Sequence, residues 1–150
     1  MNRRLGNFLS LSFVASSLLL SLGCSGSSDR EPLQALMETL AEAAKNDYQG
    51  EIKSHPREEW AVRRGILTTS RDLKVIDDFL RKKPKLSVPG QAAIESLRQI
   101  IQKHSDFFEG IAKTGRFNLT DLEKEKYSEM IHDRLLKAKE IGRLIDGDSN

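Results

Sequence analysis

The chain has 150 residues, 38% of them hydrophobic and 31% charged, with 24 Lys and Arg against 22 Asp and Glu and a single cysteine. That length suits one domain with its own core. One cysteine excludes a disulfide framework within the chain and a thiolate metal cage, so the fold has to be stable from packing alone.

The first element is the amino-terminal segment. Arg3 and Arg4 make a positive start, and from Phe8 to Leu22 the residues are apolar or small and carry no charge. This is the pattern of a secretion signal. It falls short of the roughly 20 apolar residues that a membrane-crossing helix needs. The segment closes on Leu20-Ser21-Leu22-Gly23-Cys24, which resembles the lipobox of bacterial lipoproteins. The usual leucine three residues before the cysteine is replaced by Ser21, with leucines on both sides. The resemblance implies that residues 1–23 are a signal peptide cut off after Gly23, that the Cys24 thiol receives a diacylglycerol, and that the new amino group takes a further acyl chain such as palmitate. It also implies a bacterial envelope protein facing the periplasm, and Ser25 rather than aspartate after the cysteine favours the outer membrane. Two or three acyl chains give stable attachment, since each buried methylene contributes about 0.8 kcal/mol. Residues 1–23 contain Arg3 and Arg4 and no acid, so their loss leaves 22 of the 24 cations against 22 acids. A chain balanced in this way lacks the basic surface that nucleic acid requires.

Residues 24–28 hold Cys24 and a Ser-Gly-Ser-Ser linker, whose four residues reach about 14 Å at full stretch. Residues 29–147 read as helices, and 148–150 as a frayed tail. The first helix opens after Ser28 or Asp29, with Pro32 in its first turn, and fades at Asn46-Asp47. The second begins near Ser54, with Pro56 in its first turn, and ends at Arg81-Lys82-Lys83 before Pro84. The third starts at Ser87 to Pro89 and stops at Gly115. The fourth opens on Thr120-Asp121-Leu122-Glu123, which has capping-box spacing, and runs to Asp146.

Apolar spacing of three and four residues then gives each helix a seam. The first offers Leu33, Met37, Leu40 and Ala44; the second Val62, Ile66, Thr69, Leu73, Ile76 and Leu80; the third Ile94, Leu97, Ile101, His104, Phe108 and Ile111; the fourth Tyr127, Ile131, Arg134, Ala138, Ile141 and Ile145. Four seams with short connections predict an all-α, antiparallel, up-down-up-down four-helix bundle.

Catalytic motifs are missing: there is no Gly-rich phosphate loop, no HExxH and no nucleophile elbow, so no catalytic residue and no enzyme is expected. Glu129 and His132 have the Glu-x-x-His spacing of ferritin-like di-iron bundles, but the second such pair and the two further glutamates are absent, and at about 100° per residue both fall off the Tyr127 seam. No metal site is expected. A looser likeness is to cytochrome b562, whose haem lies between a methionine on the first helix and a histidine on the last. Met37 fits that pattern, whereas His132 is off the core face, so haem binding is the alternative reading and not the expected one.

His104 sits in the middle of an apolar face, and a buried imidazole needs partners. The spacing predicts a buried polar layer of Thr69, His104 and Tyr127, with Thr69, Ser70, Tyr127 or Ser128 as the bonding groups. Trp60 and Leu67 lie opposite the second seam and suit a protein partner; the alternative is that Trp60, close to the helix start, folds under the Tyr48–His55 connection. The first helix, at about 17 residues, is read as shorter than the second, at about 28. The shortfall predicts an apolar groove at the far end, lined by Phe79, Leu80, Leu86, Val88, Ile141 and Ile145, where Arg81, Lys82, Lys83, Lys85 and Arg143 would face the anionic surface of the membrane. In size and layout the chain is similar to helical pilotin and accessory lipoproteins, which implies a binding or scaffold role beside an envelope protein.

Overall fold

In the computed structural model of the protein, the described residues are 29–51 and 61–147. They form four helices: α1 (Arg30–Glu51), α2 (Ala61–Arg81), α3 (Val88–Ala112) and α4 (Asp121–Asp146). There is no strand among them. The signal peptide, Cys24, the linker, the Ser54–Trp60 stretch and residues 148–150 lie outside the described residues.

The ends of the helices have identifiable causes. Ser87 caps α3 by accepting the Gly90 N–H at 3.1 Å, and Pro89 in the first turn gives up an N–H that has no partner there anyway. Thr120 and Glu123 form the expected capping box on α4. Arg116 locks that box, placing two guanidinium nitrogens on the Glu123 carboxylate at 2.7 and 3.1 Å. The Arg116 contact and the Thr120 N–H together hold the Glu123 carboxyl down at about 2. Gly147, at φ 81°, ends α4 in the left-handed region. α2 ends differently: its left-handed residue is Lys83, at φ 50°, followed by Pro84.

Helix α1 runs on past the expected stop, to Glu51. Asn46, Asp47 and Gly50 each cost a helix less than about 1 kcal/mol, and no proline stands among them to break it. Its 22 residues span about 33 Å.

The core falls into two clusters. The larger takes Leu33, Leu36 and Leu40 from α1, Ile76 from α2, Ala93, Ile94, Leu97 and Ile101 from α3, and Ile141 from α4, all of them aliphatic. The smaller is Val62, Phe108 and Ile111, flanked by Ile66, Phe107 and Tyr127. Neighbouring helices touch in the order α1–α2–α3–α4, and α4 returns to α1.

Most seam positions face inward, with exceptions at Ala44 and Ile131 and with inward residues that apolar spacing did not include. All six α3 positions are buried as read. On α2, however, Gly65 and Asp72 are also buried. On α1 the inward residue is Leu36, at 2% exposure, while Ala44 is exposed. On α4, Ile141 is buried and Tyr127, Arg134, Ala138 and Ile145 are half-buried as read, joined by Met130, Lys137 and Leu144, whereas Ile131 is exposed.

Candidate functional site

A polar layer separates the two core clusters. On α2 it lies between Ile66 and Ile76, and contains Thr69 and Asp72, at 2% and 1% exposure; on α3 it lies between Ile101 and Phe108, and contains His104 and Ser105. The expected bonds inside this layer are replaced by others. Thr69 spends its hydroxyl on its own helix, donating to the Gly65 carbonyl at 2.8 Å, and Ser70 is exposed. His104 instead reaches the Met130 carbonyl with Nε2, at 2.9 Å. A carbonyl can only accept, so Nε2 carries the proton and the tautomer is fixed. The half-buried Tyr127 meets the imidazole edge-on, with ring centroids 6.2 Å apart. Burial pushes the His104 pKa below its ordinary value, the Met130 bond opposing it. Burial also raises the Tyr127 phenol.

The charged part of the layer was not legible in the sequence. The Asp72 carboxylate receives Arg71 on Oδ1 at 2.6 Å and Arg134 on Oδ2 at 2.5 Å. Arg71 also donates to the Ala43 carbonyl at 3.0 Å, so Arg71 ties α2 to α1 and Asp72 ties α2 to α4. Arg134 enters the α4 seam because its cation has this buried partner.

Beside the layer, between α3 and α4, a cleft of about 450 Å³ is lined by the half-buried Ile100, Phe107 and Met130, by His104, and by the exposed Lys103, Asp106, Lys126 and Asp133. Lys126 stands 5.8 Å from the centre of the Phe107 ring. Two cations and two anions balance there, so the cleft has no charge preference.

At the end of the bundle where α2 turns into α3, the expected apolar groove is closed. Ile141 is fully buried, and Phe79, Leu80, Leu86 and Ile145 pack partly buried on the larger cluster, because α1 reaches this end and fills it with Leu33 and Leu36. Val88 does not join them, being 85% exposed. A cleft of about 300 Å³ lies nearby between α1 and α2, and of the expected residues only Phe79 lines it. What brings α1 this far is Asp29, which is 2% exposed. Its carboxylate accepts the Ser87 N–H at 2.5 Å and the Ser87 hydroxyl. A Cβ on Gly90 would come within 2.5 Å of that carboxylate, so only glycine leaves room. The anion also lies at the positive end of α3. Of the cations expected at this end, Lys82, Lys83, Lys85 and Arg143 are exposed and Arg81 is tied to Asp78 at 2.9 Å.

Among the other candidates, Leu67 is 41% exposed. Glu129 and His132 are exposed on α4, while Met37 packs against the larger cluster, so the structure does not bring Met37 and His132 to one face. No group of three or more potential ligands that could hold a metal ion occurs among the described residues. On α4, Ile131, expected in the seam, is 38% exposed, and Leu135 and Leu136, off the seam, are 55% and 51% exposed.

Comparison with protein-family models, with curated proteins and with solved structures finds no match for this chain.

Proposed function

We propose that the protein is a lipid-anchored, non-catalytic module of a bacterial envelope, an antiparallel up-down-up-down bundle that faces the periplasm and binds or scaffolds an envelope protein. The observation that carries this reading is Leu20-Ser21-Leu22-Gly23-Cys24, the lipobox-like end of an uncharged segment, with the only cysteine of the chain at the position where acylation requires a thiol. Removal of residues 1–23 as a signal peptide leaves Cys24 as the first residue, and acyl chains on it supply the membrane attachment. No helix among the described residues is long and apolar enough to cross a membrane. Ser25 favours the outer membrane. The exposed Leu67 on α2 and the exposed apolar residues of α4 support a binding role, as they leave large side chains in water that a partner can cover.

The test is Cys24→Ala in a bacterial host fed labelled palmitate. The wild type should take up label and run as a shortened chain; the variant should stay unlabelled and keep residues 1–23. Normal shortening of the variant would remove the lipoprotein reading.

A further inference from the structure

The connection between α2 and α3 reads Lys82-Lys83-Pro84-Lys85-Leu86-Ser87 and leads into Val88. Lys82, Lys83 and Lys85 are exposed and make no ion pair among the described residues, whereas the nearby acids Asp77 and Asp78 are taken by Arg98 and Arg81. Lys83 holds a left-handed backbone, at φ 50°, where glycine or asparagine is the usual occupant. Val88, three residues after Lys85, is the most exposed large hydrophobic residue among the described residues, at 85%. Leu86, between Lys85 and Ser87, turns inward onto the larger cluster and holds the connection to the bundle.

The position of this connection relative to the chain's start is set by Asp29. The Asp29–Ser87 pair fixes the first described residue to the last residue of the connection. Cys24 precedes Asp29 by five residues in the sequence, a reach of at most about 17 Å. An anchor at Cys24 therefore keeps the lysines and Val88 next to the bilayer surface.

We propose that the segment from Lys82 to Val88 is a membrane-contact loop: its lysines meet anionic phospholipid headgroups, Val88 enters the interfacial layer, and the Asp29–Ser87 clamp holds the loop where the anchored chain joins the bundle. The inference rests on acylation of Cys24, as proposed above. It assigns Val88 to the lipid rather than to a protein groove. It also gives the bundle an orientation, with the connection between α3 and α4 turned away from the membrane.

The test uses the acylated chain purified from membranes. Acylation blocks the Cys24 thiol, so Val88→Cys supplies one free thiol for an environment-sensitive fluorophore. The labelled chain is placed in vesicles of phosphatidylcholine alone or of equal parts phosphatidylcholine and phosphatidylglycerol. The expected result is a blue shift, with quenching by lipid-borne bromine, in the anionic vesicles. Each lysine near an anionic surface strengthens contact by roughly fivefold, so replacing Lys82, Lys83 and Lys85 with glutamine should weaken the shift by about 100-fold in apparent partition. A probe at Phe117→Cys, on the α3–α4 connection, should stay in water in both. An acylated chain whose probe at position 88 stays in water, or whose probe at 117 is quenched equally, overturns the loop. A chain without acyl mass on the Cys24 peptide overturns the anchor, and the inference falls with it.

Discussion

The two halves of the core are built by different means. Towards the α2–α3 connection, all four helices contribute and every buried residue of the hydrophobic cluster is aliphatic. Towards the α3–α4 connection, α1 adds no side chain among the described residues, and the space is filled by rings: Phe108 lies 5.3 Å from Phe107 and 5.0 Å from Tyr127, both edge-on. Branched aliphatic side chains from four sides can fill a core by interdigitation. At the other end Phe107, Phe108 and Tyr127 supply larger groups of fixed geometry, since aromatic pairs prefer edge-to-face contact. The polar layer keeps the two solutions apart. A slide of α3 along α2 by one turn would bury His104 among aliphatics and break its bond to Met130, so the layer specifies register, as buried polar groups do in coiled coils.

If the layer holds that division in place, the largest effect should come from stripping Asp72 of both cations. Arg71→Met with Arg134→Met leaves a carboxylate at 1% exposure without a partner, and denaturant unfolding should show a loss of about 3–5 kcal/mol. Restoration by Asp72→Leu in the same chain would sharpen the point, since a well-packed apolar trio can equal a buried ion pair.

His104→Ala should lose about 2 kcal/mol or more, because a cavity opens between the clusters, whereas His104→Leu should keep or raise stability but give less uniform packing. Amide and methyl spectra would show the difference. The same residue predicts a pH dependence. Its folded-state pKa lies below the unfolded value, so the unfolded chain binds a proton that the folded chain refuses, and stability falls as pH drops below about 6.5. His104→Leu should remove that loss. Glu123, held at about 2, acts in a separate window, losing its contribution as pH falls from the ordinary glutamate range towards 2.

The aromatic half is probed by Gly65. A Cβ there would lie 2.5 Å from Phe108 Cγ, an atom too near the backbone to swing aside. Alanine gains about 1 kcal/mol in helix propensity, but overpacking costs about 1–3 kcal/mol, so Gly65→Ala should destabilise by about 1 kcal/mol. Phe108→Leu should turn that sign, and a double-mutant cycle would measure the coupling. The smallest effect is expected at the other end: Lys83→Gly relieves the left-handed backbone and should stabilise by about 0.5–1 kcal/mol in thermal unfolding.

The comparison also explains what could be read from the sequence. α3 was legible throughout because its inward face is apolar apart from His104 and Ser105, and strict three-four spacing identifies such a face. α4 misled at Ile131, which is apolar yet exposed, and at Lys137, which is half-buried, while Arg134 keeps its seam position through a partner, Asp72, that the spacing does not show. A search for apolar periodicity passes over Gly65 and Asp72, one inward because a ring needs its missing side chain and the other because two arginines neutralise it. The Asp29 clamp joins residues 58 apart in the chain, and no local pattern announces such a bond. Cys24 and its neighbours remain legible in the sequence alone.

The clamp has a mechanical consequence. A pull delivered through the amino-terminal segment reaches Asp29 before the first turn of α1. The carboxylate passes that force to Ser87 and into the start of α3, the helix with the most buried residues, rather than letting α1 peel off from its first residue. Asp29→Ala or Gly90→Ala would remove this grip, and under tension the first helix would then detach at a lower force while the resting fold kept its core.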